Sequence, residues 1–198
     1  AHFDMVAGAF DRTAAGMAEN DDCFGASDFA GKFHAAKDIL IDDVARDAHT
    51  EDVAQTLVNR ADARFQLKDW KACVSDYEKV IASGRSDAEI FQRLGTARYS
   101  LQDYKGAADA LRLAIEKRVR ERDVFSMHGR SLARLGNCAE AVKSLAAAVS
   151  MGATDRELLS TLGLCQYQGK EYAPALENLG KAISAGASDK EIYLARGQ

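Results

Sequence analysis

The sequence predicts an all-α solenoid in which antiparallel helix–turn–helix pairs stack with a 34-residue period. Three observations carry this. Gly95, Gly129, Gly163 and Gly197 recur every 34 positions, with Ala61 one period earlier, in register with two further series: Cys73, Ala107, Ala141 and Ala175, and Tyr77, Leu111, Leu145 and Leu179. Within each period the apolar residues form two runs of helical spacing. Only one proline occurs in 198 residues, in keeping with a chain built of helices.

Taken in order, the first 53 residues are the least regular. Phe3, Val6, Phe10 and Met17 make one helical face, and Phe29, Phe33, Ala36, Leu40 and Val44 another, with breaks at residues 20–22 and 25–28. Residues 1–53 read as an irregular helical pair, a diverged repeat or cap. Four full repeats follow, over 54–87, 88–121, 122–155 and 156–189, and a fifth opens at 190–198. In the second of these, Phe91, Leu94, Gly95 and Arg98 share one face of a first helix, and Ala107, Leu111, Ala114 and Ile115 one face of a second. Short turns such as Leu101–Asp103 and Arg134–Asn137 separate the two helices. Glycine in mid-helix costs about 1 kcal/mol relative to alanine, so its recurrence predicts a close helix neighbour, with the alanines of the second helix as the facing surface. Pro174 falls in the first turn of a second helix, where its missing donor costs little.

The junctions between repeats carry their own signals. Gly84, Gly152 and Gly186 stand where a left-handed residue would end a helix. Ser86/Glu89, Thr154/Glu157 and Ser188/Glu191 have capping-box spacing for the next helix start. The junction over 117–123 lacks the glycine.

Composition narrows the function classes. Apolar residues make up 47% and charged residues 28%, a folded rather than a disordered balance. No run of eighteen apolar residues occurs, so no membrane insertion is expected. Net charge is −4 overall, divided between an acidic front of −8 over 1–53 and +4 over 54–198. No basic stripe suggests nucleic acid. Cys23, Cys73, Cys138 and Cys165 lack metal or redox spacing. They read as small buried thiols of a reducing compartment, which favours the cytoplasm, while an exported chain would leave room for one bridge such as Cys138–Cys165. The start lacks an initiator methionine and the end stops inside a repeat, which suggests a processed or longer chain.

No catalytic constellation assembles. Gly25–Lys32 misses phosphate-loop spacing by one residue and lacks its Ser or Thr. The four histidines are scattered, and His128 lies on a buried helix face, which predicts a hydrogen-bonded core residue. No enzyme site, metal or cofactor is expected.

The 34-residue pattern of Leu-Gly, Tyr, Ala, aromatic and Ala resembles the tetratricopeptide-repeat family over 54–198. Two departures stand out. The family's repeat-ending proline is replaced by glycine junctions, and Arg60, His128 and Arg196 stand where leucine is usual. The resemblance implies a right-handed superhelix whose concave wall binds peptides, a non-catalytic protein-interaction scaffold.

At 100° per residue, the face of each first helix turned from its second helix would supply that wall. The candidate groove residues are Asn59, Asp62 and Phe65, then Arg93, Thr96 and Tyr99, then Met127, Arg130 and Arg134, then Leu164 and Tyr167. Phe65, Tyr99 and Tyr167 form an aromatic line, and the three arginines give positive charge near the middle. A partner peptide with an acidic or C-terminal carboxylate segment would suit them. Three other readings stay open: self-assembly through the array ends, recruitment within a larger enzyme, and a degenerate clamp for chaperone C-termini. In the last, Asn59 and Arg93 match the clamp, but Glu89 replaces its lysine.

Overall fold

The computed structural model describes residues 50–188 and 190–197, with side chains from 53 onward. The expected helical faces of the first 49 residues and the near-miss glycine loop lie outside the described residues. The chain divides into units 1–48 and 49–198, and the following concerns the second.

Its first helices are α1 (Thr50–Gln66), α3 (Ala88–Ser100), α5 (Arg122–Arg134) and α7 (Arg156–Gln168). Each is followed by a second helix: α2 (Trp70–Ala82), α4 (Tyr104–Glu116), α6 (Cys138–Ser150) and α8 (Tyr172–Ser184). The start of one more first helix, α9 (Lys190–Gly197), follows. Every first helix packs on its own second helix, and every second helix packs on the next first helix. Among the described residues no strand occurs. Apart from α1 and α9, the helices are 13 residues long, so the 34-residue period survives as a structural repeat.

The close approach predicted from glycine is present, but leucine makes it. A Cβ at Gly95 would lie 2.5 Å from Leu111 Cγ, at Gly129 2.6 Å from Leu145 Cγ, and at Gly163 2.7 Å from Leu179 Cγ. The expected alanine surface is therefore corrected: the leucine seats over the bare backbone, while Ala107, Ala141 and Ala175 are buried nearby on the same second helices. In the first repeat Ala61 replaces the glycine and fully buried Tyr77 the leucine.

The junctions end as the sequence suggests and begin one residue later. Gly152 takes φ +89°, and the Ala153 amide bonds back to the Ala148 carbonyl at 3.0 Å, a helix-ending motif that returns an otherwise orphaned carbonyl. Where glycine is missing, Arg118 takes φ +72° and Val119 makes the same bond to Ala114 at 3.1 Å. The capping boxes are displaced. The N-cap residues are Asp87 and Asp155, not Ser86 and Thr154, and Asp155 accepts from the Leu158 amide at 2.9 Å. A carboxylate at the helix start also answers the positive end of the helix dipole. This leaves Glu89 and Glu157 free to act elsewhere.

Two of the residues standing where leucine is usual are paired inside the core. At that register stand Leu94 and, sixteen residues on, Ala110, both in one buried apolar cluster. Arg60 instead makes two bonds to fully buried Asp76, at 2.9 and 2.8 Å, and Arg64 adds a third at 2.6 Å. His128 Nδ1 lies 2.8 Å from Ser144 Oγ. Arg60 and Asp76, like His128 and Ser144, are sixteen residues apart, so a polar replacement on the first helix is answered on the second. Burial holds the His128 imidazole below its ordinary value of 6.5, opposed by Glu140 and assisted by Arg112.

Gly129→Ala should destabilise the fold by about 1–3 kcal/mol through overpacking. Gly180→Ala, whose Cβ meets nothing within 4 Å, should stabilise it by up to about 1 kcal/mol. Urea denaturation of both checks the contrast, and equal shifts would refute it.

Ser144→Ala should cost about 1–3 kcal/mol by stranding the imidazole, whereas His128→Leu with Ser144→Ala restores a leucine–alanine pair and should be near neutral. Unfolded His128 binds its proton below about pH 6.5, but folded His128 only at lower pH. Its contribution is therefore complete above that value and declines as pH falls through the folded value. Melting at about pH 7.5 and about pH 5 should show a drop for wild type that is smaller in the double variant.

Candidate functional site

Successive first helices of the later repeats touch one another (α3 with α5, α5 with α7, α7 with α9), while no comparable contact joins successive second helices. A stack packed more closely along one row bends toward it, so the first helices line the inner wall. The side chains they turn away from their own second helices form the candidate site.

The aromatic line is present and already engaged. Phe65, Tyr99 and Tyr167 are half-buried. Each meets edge-on the ring that opens its own second helix: Phe65 on Trp70 at 5.3 Å, Tyr99 on Tyr104 at 5.9 Å, and Tyr167 on Tyr172 at 5.7 Å. The pairing follows from the turn, which folds the chain back so that residues five apart meet. In the third repeat the same two places hold Ala133 and Cys138. There Cys138 forms a disulfide with Cys165 of the next repeat, which corrects the reading of these two as buried free thiols. Cys73 is free and buried.

The arginines differ from one another. Arg93 pairs with Asp62 of the preceding repeat and with Glu89 of its own helix. Tyr77 donates its hydroxyl to Asp62 at 2.5 Å. The Asp62 bond pushes the Arg93 pKa further up, and burial followed by the Asp62 contact raises that of Tyr77. Arg130 reaches forward to Asp155, the cap of α7, and to Glu157 at 3.3 Å. Its Nε is buried without a partner. Arg134 is 63% exposed, 3.9 Å from Glu157, with its guanidinium carbon 5.9 Å from the Tyr104 ring centre. Two of the expected cations are thus neutralised by their neighbours, and Arg134 presents its charge to solvent.

The remaining predicted residues stand on the same first helices. Asn59 is exposed and accepts from Gln55 at 3.0 Å. Thr96 donates back to the Gln92 carbonyl at 2.9 Å. Met127 and Leu164 are half-buried, Leu164 against the larger core cluster. Ser126 and Ser160, on the same first helices, are buried. Tyr104, Asp155 and Glu121 are contributors that the helical-face reading missed. Glu121 accepts from Gln92 at 2.6 Å. A regular offset of five residues from Tyr99 could have flagged Tyr104. The other two sit in junctions, where face counting stops.

Among the described residues no group of three or more His, Cys, Asp or Glu is placed to hold a metal ion, and no helix is long and apolar enough to cross a membrane. A recess of about 200 Å³ among Ile81, Phe91, Leu94 and Leu113 involves none of the predicted groove residues.

Residues 126–190 match the sequence profile of the tetratricopeptide repeat. Over those residues the chain carries the tetratricopeptide repeat. Solved structures share the fold of this repeat protein. YrrB, described as a TPR protein with an unusual peptide-binding site, is 20% identical, with 86% of this chain and 87% of that one covered and a TM-score of 0.65. A MamA structure is 17% identical over 73% of this chain and 79% of its own, with a TM-score of 0.60. MamA from Desulfovibrio magneticus RS-1 is also 17% identical, over 73% and 81%, with a TM-score of 0.59. At these identities the likeness is one of fold. No curated protein matches the sequence.

The cross-repeat pairs should tune how firmly the wall is held. Asp62→Asn removes the carboxylate that Arg93 and Tyr77 share, and should lower stability by about 1–3 kcal/mol. Asp87→Asn, at a cap residue whose side chain makes no capping bond, should stay within about 0.5 kcal/mol. Thermal melting of the two variants separates a structural bridge from a solvated surface charge.

Proposed function

We propose that this protein is a non-catalytic interaction scaffold that receives an extended partner segment along its wall of first helices. Arg134 is the cation that takes a carboxylate of that segment. The observation that carries this reading is the unequal state of the three arginines. Arg93 and Arg130 are tied to carboxylates of adjacent repeats, so they set the wall's geometry. Arg134 keeps an exposed guanidinium against an aromatic ring, with a single, longer ion pair to Glu157 at 3.9 Å. A planar fork supported in this way favours a carboxylate. Met127, Leu164 and the half-buried aromatic rings supply apolar surface on either side, and Asn59, Asp62 and Thr96 supply polar edges toward the first repeat. That a peptide-binding site is described for YrrB supports the reading by analogy of fold. The chaperone clamp is less well supported, because its matching arginine, Arg93, is held by Asp62 and Glu89.

The test is a peptide library carrying free or amidated C-termini, screened against wild type and Arg134→Glu. Carboxylate-bearing peptides should be selected, should weaken with added salt, and should bind the variant roughly tenfold less tightly, about 1.4 kcal/mol. The variant's helicity and melting should be unchanged. The same peptides bound equally by both proteins would sink the assignment.

Self-association is the second reading, favoured by the half-exposed Tyr193 and Leu194 on α9 and Leu176 on α8. Sedimentation should then show a concentration-dependent mass that Tyr193→Glu abolishes, and a single monomer mass at all concentrations would remove this alternative.

A further inference from the structure

We propose that Cys138 and Cys165 are a thiol-oxidation site, a latch between the third and fourth repeats that a small-molecule disulfide closes and a small thiol reopens. The proposal goes beyond the wall's binding role and stands whether or not that role holds. It begins with the disulfide itself, which joins the first residue of α6 to the last turn of α7 across a Cα–Cα distance of 4.9 Å. In the other three repeats, the place of Cys138 is taken by an aromatic ring packed edge-on within its own repeat. The third repeat has given up that internal contact, and its bond runs to the next repeat instead.

The surroundings suit exchange rather than a sealed crosslink. Cys138 is half-buried, whereas Cys165 is 4% exposed, so an incoming reagent meets Cys138 first. Cys138 is the first residue of α6, in the turn that carries that helix's positive end. The other second helices are preceded by Asp69, Asp103 and Glu171, but here the cap is neutral Asn137, which still accepts from the Glu140 amide at 3.4 Å. Glu140, exposed in the first turn, is the carboxylate nearest in sequence, and Arg134 precedes the turn. The opened state has a partner as well, since Cys138 Sγ lies 3.2 Å from Gln168 Oε1, where a thiol can donate. Cys73 cannot compete: it is fully buried, and burial followed by Asp76 pushes its thiol up to about 12.

Closure balances as two exchanges. The Cys138 thiolate attacks one sulfur of the small disulfide, forming a mixed disulfide and expelling a thiolate. Cys165 then loses its proton and attacks the Cys138 sulfur, and a second thiolate leaves. Two protein thiols are oxidised, one small disulfide is reduced to two thiols, and the protons pass to the departing thiolates. The latch crosslinks residues 27 apart in sequence, which restricts the separation of α7 and α8 from the third repeat.

The experiment equilibrates the purified chain in oxidised and reduced glutathione at graded ratios. Alkylation and peptide mapping then read all four cysteines, and hydrogen exchange reads α6–α8. Cys138 and Cys165 should change together as an intramolecular pair while Cys73 stays unreacted. Amide protection over α7 and α8 should fall on the order of 100-fold on reduction, with α1 and α2 little changed. Cys165→Ser should stop at a mixed disulfide on Cys138 and show no gain in protection. Even if that variant folds poorly, the wild-type titration decides. Persistent free thiols in excess oxidised glutathione, pairing of either cysteine with Cys23, or equal protection in both states would overturn the latch.

Discussion

The contact on which this architecture depends is a leucine seated on bare backbone. Gly95, Gly129 and Gly163 each leave room for Leu111, Leu145 or Leu179. A glycine there sacrifices about 1 kcal/mol of helix propensity, which close packing of a fully buried leucine offsets at about 1.5–3 kcal/mol. The helix pair is thereby held at a fixed separation. Each pair packs on the next first helix in the same manner, so a local spacing propagates into a wall. The wall's side chains inherit their places from that spacing.

The interior shows how such a repeat tolerates change. Replacing the usual leucine by arginine or histidine would bury an unanswered polar group, at a cost of several kcal/mol for a charge. The change is matched on the facing helix, by Asp76 for Arg60 and by Ser144 for His128. Since both pairs are sixteen residues apart, the compensation stays within one repeat and leaves the stacking surfaces to their neighbours. The polar pairs thus mark individual repeats without altering the period.

Much of this was legible in the sequence because the repeat reports its own register: helix existence, helix type and the close-packed glycines follow from periodicity. The capping residues were displaced by one, because a hydroxyl residue and an aspartate adjoin at Ser86–Asp87 and Thr154–Asp155 and spacing alone does not choose between them. The groove was legible as a face and not as a circuit. Arg130 finds Asp155 and Arg93 finds Asp62 across 25 and 31 residues, and only stacking brings those carboxylates near. Cys138 and Cys165 were likewise ambiguous, since their meeting depends on where one repeat sets the next.

Those cross-repeat pairs bear on what the wall can discriminate. An arginine free in solvent attracts any anion weakly and is screened within about 8–10 Å. An arginine already bridged by a carboxylate must exchange one partner for another, so a ligand gains little unless it reproduces the geometry. On the proposed reading Arg93 and Arg130 contribute rigidity more than affinity, each tying its first helix to an adjacent repeat. Arg134 offers charge with little prior commitment, at the repeat whose aromatic pair is missing and whose second helix is bonded to the next repeat. Three departures from the pattern coincide there: a replaced ring pair, a neutral cap and an exposed arginine. Mechanical coupling between the third and fourth repeats and recognition on the wall would consequently act on the same stretch of chain.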